Sequence, residues 1–219
     1  IGLAQAGIFL ENGWRVYGID QASKPDLAGD FHFLQLDLTG DLSPVFSWCQ
    51  SVDVLCNTAG ILDEYRPHLD IEEDELARIF AVNFFAVTRL TRPYLQQMAD
   101  RQSGIIINMC SIASSLAGGG GSAYTASKHA LAGFTKQLAL DYAKDKVQVF
   151  GIAPGAVQTG MTQKDFEPGG LADWVADQTP IGRWSQPSEI AELTFMLASG
   201  KLFSMQGQII TIDGGWSLK

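Results

Sequence analysis

Positive charge, cysteine and long apolar runs are all scarce in this 219-residue sequence. Fifteen Lys and Arg stand against 24 Asp and Glu, for a formal net charge of −9. So acidic a chain argues against nucleic acid and anionic membranes as partners, since both select basic patches. No apolar run reaches the ~18–20 residues needed to span a bilayer, so no membrane is expected. The three cysteines, Cys49, Cys56 and Cys110, are widely spaced and form no CxxC pair. They read as reduced, mostly buried thiols, and a cytoplasmic location is expected. The three histidines are also scattered: His32 in a predicted strand, His68 in a loop, His129 beside Lys128. No metal site is expected. Low-complexity linkers and internal repeats are lacking too. Ile1 opens the sequence without an initiator Met, a signal peptide or a strand ahead of the first helix, so the expectation is a truncated segment.

What is present suits a globular protein: 46% hydrophobic and 18% charged residues, expected to form one domain over 1–219. Short β-branched strands alternate with longer amphipathic helices. The pattern predicts helices over 2–11, 42–50, from about 71 to 98 with a kink near Pro93, 122–144 and 187–199. It predicts strands over 15–20, 31–38, 52–57, 105–110, 147–153 and 208–212, with 159–182 irregular. Asp70 and Glu73 fit a capping box for the third helix. Strands such as Ile105-Ile106-Ile107 do not alternate, as a parallel sheet covered on both faces requires. The predicted fold class is α/β: a doubly wound, mostly parallel sheet with helices on both faces. Ligands of such sheets bind outside the carboxyl ends of the strands.

The candidate chemistry falls at those ends. Tyr124 and Lys128 stand at i and i+4 of one helix, and so share a face. A free phenol has a pKa near 10. A neighbouring ammonium would lower it toward the range of a proton-transfer catalyst. Ser111, from the preceding strand end, could hold the oxygen of a reacting alcohol or carbonyl beside the phenol. Taken alone, the pair reads first as a packed tyrosine and a solvated lysine, and it is the rest of the chain that reverses this reading. Asp20 ends a strand where an acid can accept hydrogen bonds from adenosine ribose hydroxyls, or simply start a turn. Asp37-Leu38 could face an adenine amino group or precede a helix. Asn57-Thr58-Ala59-Gly60 leaves a strand through small residues that let backbone approach a planar ligand, or that merely turn tightly. Asn83 interrupts an apolar helical stretch. It is either a satisfied core amide or the holder of a water beside Lys128. Pro154-Gly155-Ala156-Val157-Gln158-Thr159 redirects the chain, and Thr159 could bond a ligand amide. Asp213-Gly214-Gly215 reads as turn geometry.

In this order and spacing the motifs resemble the short-chain dehydrogenase/reductase family over essentially the whole chain. The resemblance implies a catalytic tetrad of Asn83, Ser111, Tyr124 and Lys128. It implies cofactor contacts from Gly2, Asp20, Asp37, Leu38, Asn57, Ala59, Gly60, Tyr124, Lys128, Pro154, Gly155, Val157 and Thr159. Asn57-Thr58-Ala59-Gly60 is similar to the family's NNAG, with Thr58 in place of the second Asn. Of its glycine-rich phosphate turn only Ile1-Gly2 remains, so its first strand is expected to be missing.

The implied activity is NAD(P)-dependent interconversion of a secondary alcohol and a ketone on a small-molecule substrate. Asp20 favours NAD, with NADP possible. Residues 159–184, with Met161, Phe166, Trp174 and Trp184, would form a lid. Within the family the chain is similar to 3-oxoacyl-acyl-carrier-protein reductases and to dihydrodiol dehydrogenases. Gln102 and Asp145 stand where carrier-protein reductases place arginines, and an acidic surface would repel an acidic carrier. A catalytically silent dinucleotide-binding regulator is the alternative from another class. Apolar or small residues on more than one face of two helices (Phe84, Val87, Leu90; Ala126, Ala130, Gly133) call for a second partner, and the resemblance implies a homotetramer or homodimer.

Overall fold

The computed structural model describes residues 1–218. Its strands are β1 (Val16–Asp20), β2 (Phe31–Gln35), β3 (Val54–Asn57), β4 (Gly104–Met109), β5 (Val147–Pro154) and β6 (Ile209–Ile212). Its α-helices are α1 (Gly2–Glu11), α2 (Ser43–Trp48), α3 (Glu73–Phe80), α4 (Val87–Asp100), α5 (Ser122–Tyr142), α6 (Ala172–Gln178) and α7 (Pro187–Leu197). Every strand pair is parallel. The pairing order is β2-β1 in one sheet and β3-β4-β5-β6 in another.

The continuous apolar strands sort their side chains by parity. Leu55, Ile106, Val147 and Val149 face a core shared with α4 (Leu90, Tyr94, Leu95, Met98) and α5 (Leu138, Ala139). Ile105, Ile107, Phe150 and Ile152 face the opposite core, with Phe9 of α1 and Ile190 and Leu197 of α7. This is the two-sided covering that non-alternating strands require. Ile19 of β1 joins the first core and Val16 the second, so both sheets belong to one layer. No strand pairs the facing edges of β1 and β3 among the described residues. A cavity of about 40 Å³ lies between them, lined by Tyr17, Ile19, Leu55 and Tyr94 among others.

Several predicted boundaries shift. β2 stops at Gln35, so Asp37 and Leu38 lie beyond the strand. β3 starts at Val54, α2 covers only Ser43–Trp48, and α5 ends at Tyr142. The expected Asp70/Glu73 capping box does not form. Residues His68–Asp70 make a 3₁₀ turn, and α3 is preceded by Glu72 without a side-chain cap. Glu73, Asp74 and Glu75 instead place negative charge in its first turn, where the helix dipole favours it. The break in the long helix falls at a π-helical segment, Ala81–Ala86, while Pro93 is taken up inside α4. The segment expected to be irregular holds the 3₁₀ turns Gly160–Phe166 and the helix α6.

A buried polar chain ties the two central strands to their covering helices. Asn57 Nδ2 donates to Thr91 Oγ1 on α4 (3.0 Å) and to Asn108 Oδ1 on β4 (2.8 Å). Asn108 Nδ2 donates in turn to Thr135 Oγ1 on α5 (2.9 Å). Asn108, Thr91 and Thr135 are wholly buried. Asn108→Ala removes the middle of this chain and leaves Asn57 Nδ2 and Thr135 Oγ1 each one hydrogen bond short, although Asn57 keeps Thr91 and Thr135 keeps the Leu131 carbonyl. It should lower the stability of the fold by about 2–4 kcal/mol, read as a reduced urea midpoint with an unchanged m-value.

Candidate active site

The carboxyl ends of β3 and β4 and the first turns of α5 converge. β4 ends at Met109, and Ser111 follows in extended backbone as the cap of a short 3₁₀ turn. Its hydroxyl accepts the Ala113 N–H at 3.1 Å. Tyr124 and Lys128 lie on the buried side of α5, with Tyr124 8% and Lys128 3% exposed. The Lys128 ammonium donates to the Met109 carbonyl (2.7 Å) and stands 5.6 Å from the centre of the Tyr124 ring. The open alternative for this pair, a solvated lysine, is thereby settled.

Asn83 arrives from the π segment. Its Oδ1 accepts the Ile61 N–H (2.8 Å), and its Nδ2 donates to the Ile61 carbonyl (2.9 Å) and to Ser127 Oγ (3.1 Å). Ser127 donates to the Tyr124 carbonyl (2.7 Å), which links Asn83 to the turn carrying the tyrosine. A Cβ on Gly60 would sit 3.3 Å from Asn83 Oδ1 and 3.5 Å from Lys128 Nζ. Gly60 therefore lets these two polar groups face one small space. The glycine run ahead of α5 serves close approach as well: a Cβ on Gly120 would stand 2.4 Å from the Tyr124 ring.

The expected electrostatics need correction. Lys128 does not lower the Tyr124 pKa here. Burial pushes the phenol up to about 12, against a smaller downward pull from Ser111. The same burial pushes the Lys128 ammonium down to about 8. Both groups have lost water, and desolvation disfavours the charged form of each. The lysine ammonium donates its hydrogen bond to the Met109 carbonyl.

The other candidate residues lie along the same edge of the sheet. Asp20, at the end of β1, is exposed and accepts the Ala22 N–H at 2.9 Å. Asp37 is exposed as well, but its Oδ1 accepts both the backbone N–H and the hydroxyl of Thr39 (2.8 Å each). It acts as a turn residue, and Leu38 packs on the core. Asn57 Oδ1 is buried without a partner. Thr58 donates to Gln5 Oε1 on α1 (2.6 Å), and Ala59 is exposed. Gly2, at the start of α1, lies against Thr58. Gly155 is held against Asp213, where a Cβ would stand 2.7 Å from Asp213 Cβ. Pro154 and Val157 are buried, and Thr159 opens the 3₁₀ turns that follow. Asp213 accepts the Gly215 and Ser217 N–H groups, as turn geometry predicts. Among the described residues no group of His, Cys, Asp or Glu could hold a metal ion, and no helix is long and apolar enough to cross a membrane.

Sequence reasoning passed over three residues of this site. Ser127 links Asn83 to α5. Asp63 is wholly buried and accepts the N–H groups of Gly121 (2.7 Å) and Tyr124 (2.9 Å). Tyr65 is close enough to act electrostatically on Tyr124. Each depends on a partner from another part of the chain, and no local pattern marks them.

The family model described as "Enoyl-(Acyl carrier protein) reductase" matches residues 1–217. The cyclopentanol dehydrogenase of Comamonas sp. (strain NCIMB 9872) is 33% identical over 195 residues, which cover 86% of this chain and 78% of the relative. A 4-hydroxyisoleucine dehydrogenase complexed with NADH superposes with a TM-score of 0.91 at 29% identity, covering 100% of this chain and 94% of that one. A gluconate 5-dehydrogenase from Burkholderia cenocepacia in complex with NADP and tartrate gives 0.89 at 26% identity, covering 100% and 91%. With these likenesses spanning the residues that build the site, the chain belongs to the short-chain dehydrogenase/reductase family of oxidoreductases.

Proposed function

We propose that this protein interconverts a small ketone and its secondary alcohol with a nicotinamide dinucleotide, preferring NAD(H), and that Tyr124 is its acid/base. The observation that carries this reading is the meeting of Ser111, Tyr124, Lys128 and Asn83 at one strand end, all but closed to water. The residues present fit the cofactor. Asp20 offers an exposed carboxylate at the end of β1, Asn57 Oδ1 is a buried acceptor without a partner, and Gly60 leaves backbone bare beside Lys128. Gly2, Ala59, Pro154, Gly155, Val157 and Thr159 line the same edge and would hold the rest. Asp37 and Leu38 would border the adenine end.

When bound, the dinucleotide supplies the hydride. The chain's own residues handle the proton. Tyr124, held neutral by burial, is in the form that donates to a carbonyl oxygen. Ser111 orients that oxygen. Lys128 brings a positive charge near the alkoxide end of the reaction, and Asn83 would keep a water within reach of its amine. Residues 159–184, in which Phe166 packs on Trp184 at 4.9 Å, would cover the substrate. A single domain, cytoplasmic location and a homotetramer or homodimer complete the proposal. Exposed Phe85 and Leu140 on the segment preceding α4 and on α5 support association, and light scattering of a monomer at micromolar concentration would overturn it. The acidic surface favours a small molecule over an acidic carrier protein.

Tyr124→Phe should keep the fold and cofactor affinity while lowering kcat by on the order of 10²-fold or more. Near-normal turnover on an accepted ketone would refute the acid–base assignment. A 2′-phosphate beside Asp20 would set like charges together, and Lys24 lies over the Phe31 ring, 5.8 Å from its centre. Titration with both reduced cofactors should therefore give at least about a tenfold tighter Kd for NADH. A tighter Kd for NADPH would reverse the assignment.

The buried amine also leaves a mark on stability. Between pH of about 8 and 10.5 an unfolded lysine keeps a proton that folded Lys128 has released, so its contribution to stability rises with pH there. Between 10 and about 12 folded Tyr124 keeps a proton that the unfolded phenol loses, and stability falls. Denaturant unfolding of Lys128→Met across the first window should show that the variant lacks the rise seen in the parent.

A further inference from the structure

Gly121 precedes α5 and has no side chain with which to cap it. The missing cap comes from 58 residues away. One oxygen of Asp63 accepts the Gly121 N–H at 2.7 Å, and the other accepts the Tyr124 N–H at 2.9 Å. The carboxylate is wholly buried, and both its oxygens are engaged with the turn that carries the tyrosine. A Cβ on Gly121 would lie 2.7 Å from Asp63 Oδ2, so glycine at that position makes the contact possible. The next two residues, Glu64 and Tyr65, both have left-handed backbone, with φ of 54° and 59°. Two successive non-glycine residues in that region are costly, and such strain persists where surrounding contacts over-determine it. Here it turns the chain sharply just after Asp63 has entered the protein.

We propose that Asp63 is a positioning residue for Tyr124: its carboxylate clips the first turn of α5 and holds the tyrosine against Ser111 at the end of β4. The proposal rests on the reading of Tyr124 as the acid/base. A helix start favours an acid on dipole grounds, but an ordinary cap would come from the adjoining residue. This one joins the β3 exit loop to the reacting end of α5, so both walls of the site move together. The groups facing the phenol are Ser111 and Cys110 after β4, Lys128 on α5, and Asp63 and Tyr65 on the loop. Asp165, from the 3₁₀ turns after Thr159, faces Tyr65 in turn.

Asp63→Asn in the full chain, assayed with NADH and an accepted ketone, keeps the size of the side chain. It removes the charge and one acceptor. Turnover should fall about tenfold or more through misplacement of the phenol, while the KM for NADH stays within about twofold. The alkaline limb of the pH–rate profile should move to lower pH, because a negative charge beside the phenol has gone. Gly121→Ala retains the charge but displaces the carboxylate, so it should show the loss of kcat without that downward movement. A merely structural cap would lower the melting temperature of Asp63→Asn and leave its kcat at the parental value, which would overturn the proposal. Parental kcat in Asp63→Asn, with Tyr124→Phe inactive, would overturn it while the acid–base reading stood. An active Tyr124→Phe would instead overturn that reading, and the role of Asp63 with it. Should Asp63→Asn fail to fold, Gly121→Ala decides alone, and an unchanged kcat there counts against the proposal.

Discussion

The hydrogen-bonded line Thr91–Asn57–Asn108–Thr135 runs between α4 and α5 along one face of the sheet, at the point where the sheet gives way to the site. Apolar packing alone is indifferent to small sliding of a helix along a strand. Amides with fixed donors and acceptors are not, and an unmet partner in the interior costs more than a met one returns. Asn57 pairs with Asn108 in the β3–β4 register, and each side chain reaches a helix on the same face. The heights of α4 and α5 against the strand ends follow from those bonds. Ser111, Tyr124 and Lys128 inherit their positions from them.

Burial does a second thing at this place. It sets the protonation states in advance, holding the phenol neutral and easing the ammonium toward release. The sign of the tyrosine shift is opposite to what a lysine one helical turn away suggests in sequence. Proximity along a helix says which groups can meet, but the balance between charge attraction and lost hydration is decided by depth. Tyr124 and Lys128 are both buried, and the hydration lost by the phenol outweighs what a neighbouring ammonium could return.

The order of strands and helices was legible because parallel strands covered on both faces must be apolar throughout, as Ile105-Ile106-Ile107 is. That Ser111, Tyr124 and Lys128 come together was legible because they stand at a strand end and at helical spacing on the helix that follows. The place of Asn83 was legible, but the widened turn that delivers it was not, since nothing in Ala81-Val82-Asn83-Phe84-Phe85-Ala86 distinguishes a π turn from an α turn. The Asp70–Glu73 pair had the right spacing for a cap and did not form one, because the chain is still in a 3₁₀ turn at Asp70. Asp63 could not be found from its neighbours, as both of its partners lie about sixty residues on.

The π segment separates two properties that usually travel together. A π turn accommodates one residue more than an α turn, so α3 and α4 keep nearly the phase they would have if a residue between them were absent. Loss of one residue from Ala81–Ala86 would let the helix run straight through, with both neighbours seated much as they are. The cost would fall on the amide of Asn83, which would swing away from Ile61 and Ser127. In this stretch a change of length reaches the candidate site while sparing the architecture, so the site's geometry can be altered by that route without loss of the fold.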